Sequence, residues 1–432
     1  MRAFFVHLTV LGVAVVFAPS VVEATPPDVF GYGARHQALG MTGVSFSNDY
    51  EAVFANPAGL ARAERSGISL GLQAASFELT LDGDDFDLEA YRGSTIGFHL
   101  PLPFGGALEN VLTLGAGFYT PANTVLRTDI IFAETPQWAL LARTQSVNLA
   151  IGLGIDLGKL VPGLRLGIGV SALATITGRL IVTLDEANSF NSLTETQLLV
   201  SYNPIVGVTY DTGDWKIGLV YREEVRSDID LDIIVEGLPV ALPRINITAT
   251  PQYDPHTLAA EVAWQATPNL MAALHLTYRR WSAWPGLVGK STESSFFPVA
   301  PDMRDTISPR LAIEYVGGRR NTEGALRFGY SYEMTPSPPA AMAAGRDSEG
   351  QPREGVMLPR RLLDSDRHIL TGGFGMAYHV PDSPAVIRLD AFGQLHRVVE
   401  RTHDIPAVDG GASNMVTSGW IVAGGWTGAI EW

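Results

Sequence analysis

The stretch that decides the fold is the last one, Trp420-Ile421-Val422-Ala423-Gly424-Gly425-Trp426-Thr427-Gly428-Ala429-Ile430-Glu431-Trp432. Every second residue from Trp420 to Trp432 falls on one face, which reads Trp, Val, Gly, Trp, Gly, Ile, Trp. A period of two is that of a β-strand. The outer two tryptophans are 12 residues apart. At about 3.3 Å per residue and a tilt near 40°, they are separated by roughly 30 Å along the membrane normal, the height of an apolar band with its interfaces. A soluble β-sandwich also alternates, but it has no reason to place aromatic rings at both margins of an oily face, where a membrane girdle belongs. An aromatic residue ending such a strand also matches the assembly signal of outer-membrane barrels, so Trp432 is expected to engage the barrel assembly machinery.

The same alternation recurs upstream. Trp215, Ile217, Leu219 and Tyr221 oppose Lys216, Gly218, Val220 and Arg222; Leu270, Leu274, Leu276 and Tyr278 oppose Ala273, His275, Thr277 and Arg279. Leu311, Ile313 and Tyr315 oppose Arg310, Ala312 and Glu314, and Leu326, Phe328 and Tyr330 oppose Arg327, Gly329 and Ser331. These runs predict fourteen strands at 67–80, 91–100, 111–120, 145–158, 164–183, 195–211, 214–229, 256–265, 270–282, 307–316, 323–333, 367–380, 385–400 and 414–432. Short connections (159–163, 212–213, 266–269, 317–322, 381–384) alternate with long ones (121–144, 230–255, 283–306, 334–366), as in a barrel with periplasmic turns and outer loops. The expected fold is all-β: a 14-stranded antiparallel transmembrane β-barrel over 66–432, in a monomer surrounded by outer-membrane lipid.

Composition agrees with that reading. Of 432 residues only 17% are charged, yet after the N-terminus there is no run of about 20 apolar residues that could span a bilayer as a helix. Arg2, the apolar stretch Phe4–Ala18 and Val22-Glu23-Ala24 read as a cleavable signal peptide over 1–24, which implies export to the outer membrane of a Gram-negative bacterium. The absence of cysteine excludes disulfides and thiolate metal sites. A net charge of -15 argues against nucleic-acid binding. Gly67-Ile68-Ser69-Leu70-Gly71 matches the G-x-S-x-G of hydrolases but opens a long strand instead of a strand-to-helix elbow. Asp82, Asp84, Asp85, Asp87 and Glu89 lack the spacing of a calcium loop and read as a solvated acidic loop. No catalytic residue, metal or cofactor is expected, and the chain is not expected to be an enzyme.

Residues 25–65 do not alternate, and they are too long and too rich in glycine for an idle tail. The lumen of a fourteen-stranded barrel is too wide for side chains to fill, so this segment is expected inside it as a hatch. Its residues Gly33-Ala34-Arg35, Ala38-Leu39-Gly40, Gly43-Val44, Ser47-Asn48-Asp49 and Asn56-Pro57-Ala58-Gly59-Leu60 resemble the N-terminal hatch of the FadL family, outer-membrane transporters of long-chain fatty acids and hydrocarbons. Tyr221-Arg222, Trp281-Ser282, Leu326–Tyr332 with Thr335-Pro336, and Asp364–His368 extend the match in family order.

The resemblance implies passive uptake of a hydrophobic small molecule, caught by apolar outer loops, held above the hatch and released sideways through a kinked third strand. That strand contains Gly115 and Gly117, with Pro121 just beyond. The outer segment with Ile130, Ile131, Phe132, Trp138 and Leu140 is oily enough for capture, or else packs on itself over the mouth. Arg279, Arg310 and Arg327 face the lumen by parity and are candidates to pair with a substrate carboxylate. The rivals are a structural or secretion-adaptor barrel, a general porin, for which residues 25–65 have no use, and a hydrolase, whose histidines would have to face outward.

Overall fold

The computed structural model describes residues 26–86, 88–122, 138, 147–184, 190–236, 245–286, 288–291, 299–339, 342–359, 362–406 and 412–432. The expected signal segment 1–24 and the capture residues Ile130, Ile131, Phe132 and Leu140 lie outside them. Fourteen antiparallel strands form the wall: β1 (Gly67–Leu81), β2 (Tyr91–Pro101), β3 (Leu112–Pro121), β4 (Asn148–Asp156), β5 (Leu164–Leu184), β6 (Phe190–Thr212), β7 (Trp215–Arg222), β8 (Thr257–Thr267), β9 (Leu270–Arg279), β10 (Thr306–Arg319), β11 (Thr322–Glu333), β12 (Arg367–His379), β13 (Val386–Pro406) and β14 (Ala412–Glu431). Each pairs with the next, and β14 returns to β1 in unbroken register from Gly67 opposite Glu431 to Leu81 opposite Thr417. Closure leaves no unpaired edge, which is the condition for putting strands in lipid.

The period of two becomes a two-sided wall. Inward residues are buried and outward ones exposed along β1 and β8. The exposed face carries Leu274 at 53%, Phe328 at 64% and Ile313 at 51% of full accessibility. Large apolar side chains each favour removal from water by about 1.5–3 kcal/mol, so only hydrocarbon makes this surface stable. Tyr210, Trp215, Trp264, Tyr315, Tyr378 and Trp432 mark the short-turn end of the wall, with Trp215 and Trp264 stacked at 5.9 Å; Tyr221, Tyr278 and Trp420 mark the other end. The turns are tight where the sequence allows: Gly213 takes φ +57° in the two-residue link between β6 and β7.

One strand differs from expectation. The seventh, read from the sequence as 214–229, stops at Arg222, and Val225–Glu236 is a separate strand that folds over to run parallel to the outer end of β5. The break is fixed locally. Asn203 Nδ2 donates to the carbonyl of Glu224, and Tyr253 Oη donates to the Glu224 carboxylate at 2.9 Å, pulling the chain off the barrel ladder.

The segment before β1 is built from short pieces: α1 (Pro26–Phe30), α2 (Ala34–Ala38), α3 (Ala52–Ala55) and a 3-10 turn over Pro57–Arg62. Gly33 and Gly43 take φ +82° and +138°, and a side chain at Gly33 would collide with the Glu51 carboxylate. Such backbone conformations are why this stretch shows no strand period. Its partners lie all around the wall. Gln394 on β13 donates to Phe30 O (2.8 Å), Thr371 on β12 to Ala38 O (2.7 Å), Ser331 on β11 to Gly40 O (2.7 Å) and Arg310 on β10 to Met41 O (2.8 Å). A short segment can reach all of these strands in chain order only by winding along the inside of the barrel.

Candidate functional site

Asn56-Pro57-Ala58 explains itself in place. Asn56 is fully buried; its Oδ1 accepts from Ala58 N at 3.1 Å and so caps the 3-10 turn, whose first residue, Pro57, needs no amide partner. Its Nδ2 donates to Val44 O at 2.9 Å and to the wall carbonyls of Val208 at 3.2 Å and Leu219 at 3.4 Å. One side chain thus joins the turn, the inner segment and two strands. The wall is hollowed to receive it: a Cβ on Gly207 would collide with Asn56 Oδ1, one on Gly167 with Ala58 N, and one on Gly218 with Val44 O. The glycines at alternate positions of β4–β7 make room for backbone.

Two charged arrangements hold the segment. On β8, the Glu261 carboxylate accepts from Gly43 N (2.8 Å), Ser45 N (2.8 Å), Ser45 Oγ (2.6 Å) and His275 Nδ1 (2.8 Å), with its residue 1% exposed. On β10, Glu314 receives Arg35 through both oxygens at 2.9 and 2.7 Å and also accepts from Arg327 at 2.8 Å. Within the segment, His36 Nδ1 accepts from Tyr32 N at 3.0 Å. Burial, together with the nearby Arg310 and Arg222, pulls the His36 pKa down to about 3, so the ring is neutral.

The lumen has two characters. Between the inner segment and the long-loop ends of β1–β3, β13 and β14 lies an apolar cluster containing Val29, Phe30, Leu79, Tyr91, Tyr119, Trp138, Val398 and Ile421. Phe30 stacks on Tyr91 at 5.3 Å, Tyr91 on Tyr119 at 6.0 Å, and Phe86 meets Trp138 edge-on at 6.5 Å. On the other face of the inner segment, toward the short turns, the lumen is ionic. A cavity of about 740 Å³ opens between the inner segment and the short turns, lined by groups such as Arg62, Asp156, Arg165, Asp211, Glu314 and Asp390. It suits water, not an apolar ligand. Two crevices on the long-loop side, around Asp28, Arg279 and Arg310, hold only about 30 Å³ each.

A family model described as outer membrane protein transport protein (OMPP1/FadL/TodX) matches residues 33–344, most of the chain. The chain belongs to that family. It also resembles two solved structures: a Pseudomonas aeruginosa FadL homologue (TM-score 0.57, 14% identity, covering 96% of this chain and 99% of that one) and the P. putida toluene transporter TodX (TM-score 0.52, 15% identity, covering 93% and 99%). At such identity these likenesses establish a shared barrel fold. No curated protein matches the sequence.

The third strand, for which the resemblance implies a kink, keeps a continuous register with both neighbours. β3 pairs with β2 without a shift from Thr113 to Pro121 and with β4 from Leu112 to Tyr119. Gly115 and Gly117 serve the inner segment instead, since side chains there would strike Leu60 and Tyr32. The register shift in this part of the wall is at the β13–β14 pair, between Val398 and Arg401.

The three candidate arginines are not brought together. Arg279 and Arg310 share Glu333, each at 2.7 Å, on the long-loop side, whereas Arg327 binds Glu314 and Asp390 at the edge of the turn-side cavity. Parity could assign the face of these residues but not their depth or partners. Of the expected capture residues, Trp138 is placed, buried in the apolar cluster at 2% exposure. Sequence reasoning missed Glu333 as their common acceptor and Phe30 and Tyr91 as lumen aromatics. The Glu333 signal was present in its parity with Ser331; Phe30 lies in a non-periodic stretch and had none.

Proposed function

We propose that this barrel is a channel for passive uptake of hydrophobic small molecules, long-chain fatty acids or hydrocarbons, across the outer membrane of a Gram-negative bacterium. Residues 25–65 act in it as a hatch that closes the lumen to polar solutes. The observation that carries this reading is the apolar cluster between the long-loop end of the barrel and the inner segment, in which Phe86 meets Trp138 and Phe30 stacks on Tyr91, in a family described as transport proteins.

Apolar rings facing a lumen stabilise a ligand that water expels, and they do not replace the hydrogen bonds that a sugar or a hydrated ion gives up on leaving water. Capture falls to the outer segment holding Ile130, Ile131, Phe132, Trp138 and Leu140. Sideways release at Gly115, Gly117 and Pro121 would follow opening of the β2–β3–β4 ladder, which is closed in the described state. A substrate carboxylate could meet Arg279 or Arg310 by displacing Glu333, and Arg327 by displacing Glu314. Trp432 is offered to the assembly machinery at the end of β14.

Purified protein in liposomes tests the proposal. A fluorescent fatty acid and a monoaromatic hydrocarbon are compared with small sugars, with Tyr91→Arg as the variant. Accelerated entry of a hydrophobic probe that the variant loses is expected. Liposome swelling in sugars without hydrophobic uptake would establish the porin reading instead.

A further inference from the structure

The outward apolar band is not level around the barrel. On β14 it runs from Trp420 to Trp432, but on β2 the exposed apolar residues are Ile96, Phe98 and Leu100, with Arg92 exposed and Ser94 half-buried beyond them on the same face. That run is only about 10 Å tall at 3.3 Å per residue and a tilt near 40°. β1 behaves alike: Ile68, Leu70 and Leu72 give way to exposed Ser76 and Glu78. On the opposite flank, the outer part of β10 exposes Ile307 and Leu311 instead.

At the other end of the same flank the apolar surface continues into the turns. Phe104 and Leu108, between β2 and β3, are 47% and 48% exposed; Leu160 and Val161, between β4 and β5, are 79% and 45% exposed. The same two turns also expose Glu109 and Lys159 beside these apolar side chains, whereas the remaining short turns expose Asp214, Asn269, Asn321 and Ser383. The tyrosines and tryptophans that mark the short-turn margin lie on β6–β8, β10 and β12 and just after β14; β1–β5 carry none there. With Phe104 and Leu108 the apolar surface of this flank continues past the end of β2 at Pro101, displaced toward the turns.

Both departures have one explanation, because a lipid boundary is found where apolar surface meets polar. We propose that the barrel leans in the bilayer with its β1–β5 flank set toward the periplasm, so that the turns carrying Phe104, Leu108, Leu160 and Val161 sit in the inner leaflet. Their occupant is phospholipid, as the continuity of these side chains with the lipid-facing band indicates. Ser76, Glu78 and Arg92 then emerge at the outer headgroup level and escape the hydrocarbon, where a charge is costly. The inference depends on the outward face alone and does not require the uptake proposal to hold.

The chain contains no cysteine, so single cysteines can be labelled without a background. In phospholipid vesicles, a fluorophore at Phe104→Cys or Leu160→Cys is expected to be quenched by brominated acyl chains at least threefold more than one at Asn321→Cys or Ser383→Cys, and correspondingly less by aqueous iodide. Labels at Ser76→Cys and Arg92→Cys are expected to be iodide-accessible, and one at Ile307→Cys to be lipid-quenched. Heat-dependent gel mobility confirms that each variant is a folded barrel. Equal quenching at all four turn sites overturns the proposal. So does shielding of 104 and 160 from both quenchers, which would assign those turns to a protein contact.

Discussion

Replacing Glu261 by alanine should release the inner segment without opening the wall. The carboxylate accepts three hydrogen bonds from the segment, Gly43 N, Ser45 N and Ser45 Oγ, all between 2.6 and 2.8 Å. Its backbone on β8 is held independently by ladders to β7 and β9. Hydrogen bonds to a charged group are each worth about 1.5–3 kcal/mol, and the orphaned amides stay buried, but the segment can relax. The variant should therefore lose about 3–6 kcal/mol of local stability, and amide exchange around residues 40–47 should rise by roughly two to four powers of ten. Exchange followed by mass spectrometry on the folded barrel reads this directly. In planar bilayers the variant should show ion-conducting openings that the unaltered protein lacks. Unchanged exchange at 40–47 in a folded variant would refute the view that Glu261 latches the segment. Increased exchange without conductance would refute the view that the segment is the seal.

Three further outcomes follow from the geometry. Gly167→Val places side-chain atoms into the space of Ala58 N and should raise exchange across 52–62 as Glu261→Ala does across 40–47, with the barrel still heat-modifiable on gels. His36 is held neutral in the folded state with a pKa near 3, below its ordinary value of about 6.5, so its contribution is complete above pH 6.5. It is lost progressively as pH falls toward 3, at up to about 1.4 kcal/mol per pH unit. Protection of 31–43 should thus weaken between pH 6.5 and 5, and His36→Asn, which keeps an acceptor for Tyr32 N, should flatten that part of the profile. Glu333→Gln leaves Arg279 and Arg310 short of charge on the long-loop side. It should lower stability by about 3–5 kcal/mol, read from the shift in denaturant midpoint, because uncompensated buried charge is costly.

How much of this was legible beforehand varies with the physics of each part. All fourteen wall strands were readable, because one lipid-facing side and one lumen-facing side impose a strict period of two over 8 to 23 residues. The end of β7 was not, because the side chain that ends it, Asn203, reaches across from a neighbouring strand and leaves no local mark. Parity correctly put Arg310, Arg327 and Glu314 on the inner face, where they are buried, and Arg279 with them, its side chain 11% exposed. It could not say that Arg310 would meet Met41 O while Arg327 met Asp390.

The tryptophans of the terminal strand and the alternation behind them are local facts of covalent geometry and solvent preference, and they determined by themselves that this chain is a membrane barrel. Asn56-Pro57-Ala58 likewise fixed its own capped turn. What only the tertiary structure decided is what fills the lumen and how: which glycines yield to which backbone and which carboxylate holds which amide. These depend on residues more than a hundred positions apart being brought within 3 Å, a register that closure of the sheet sets and no stretch of sequence contains.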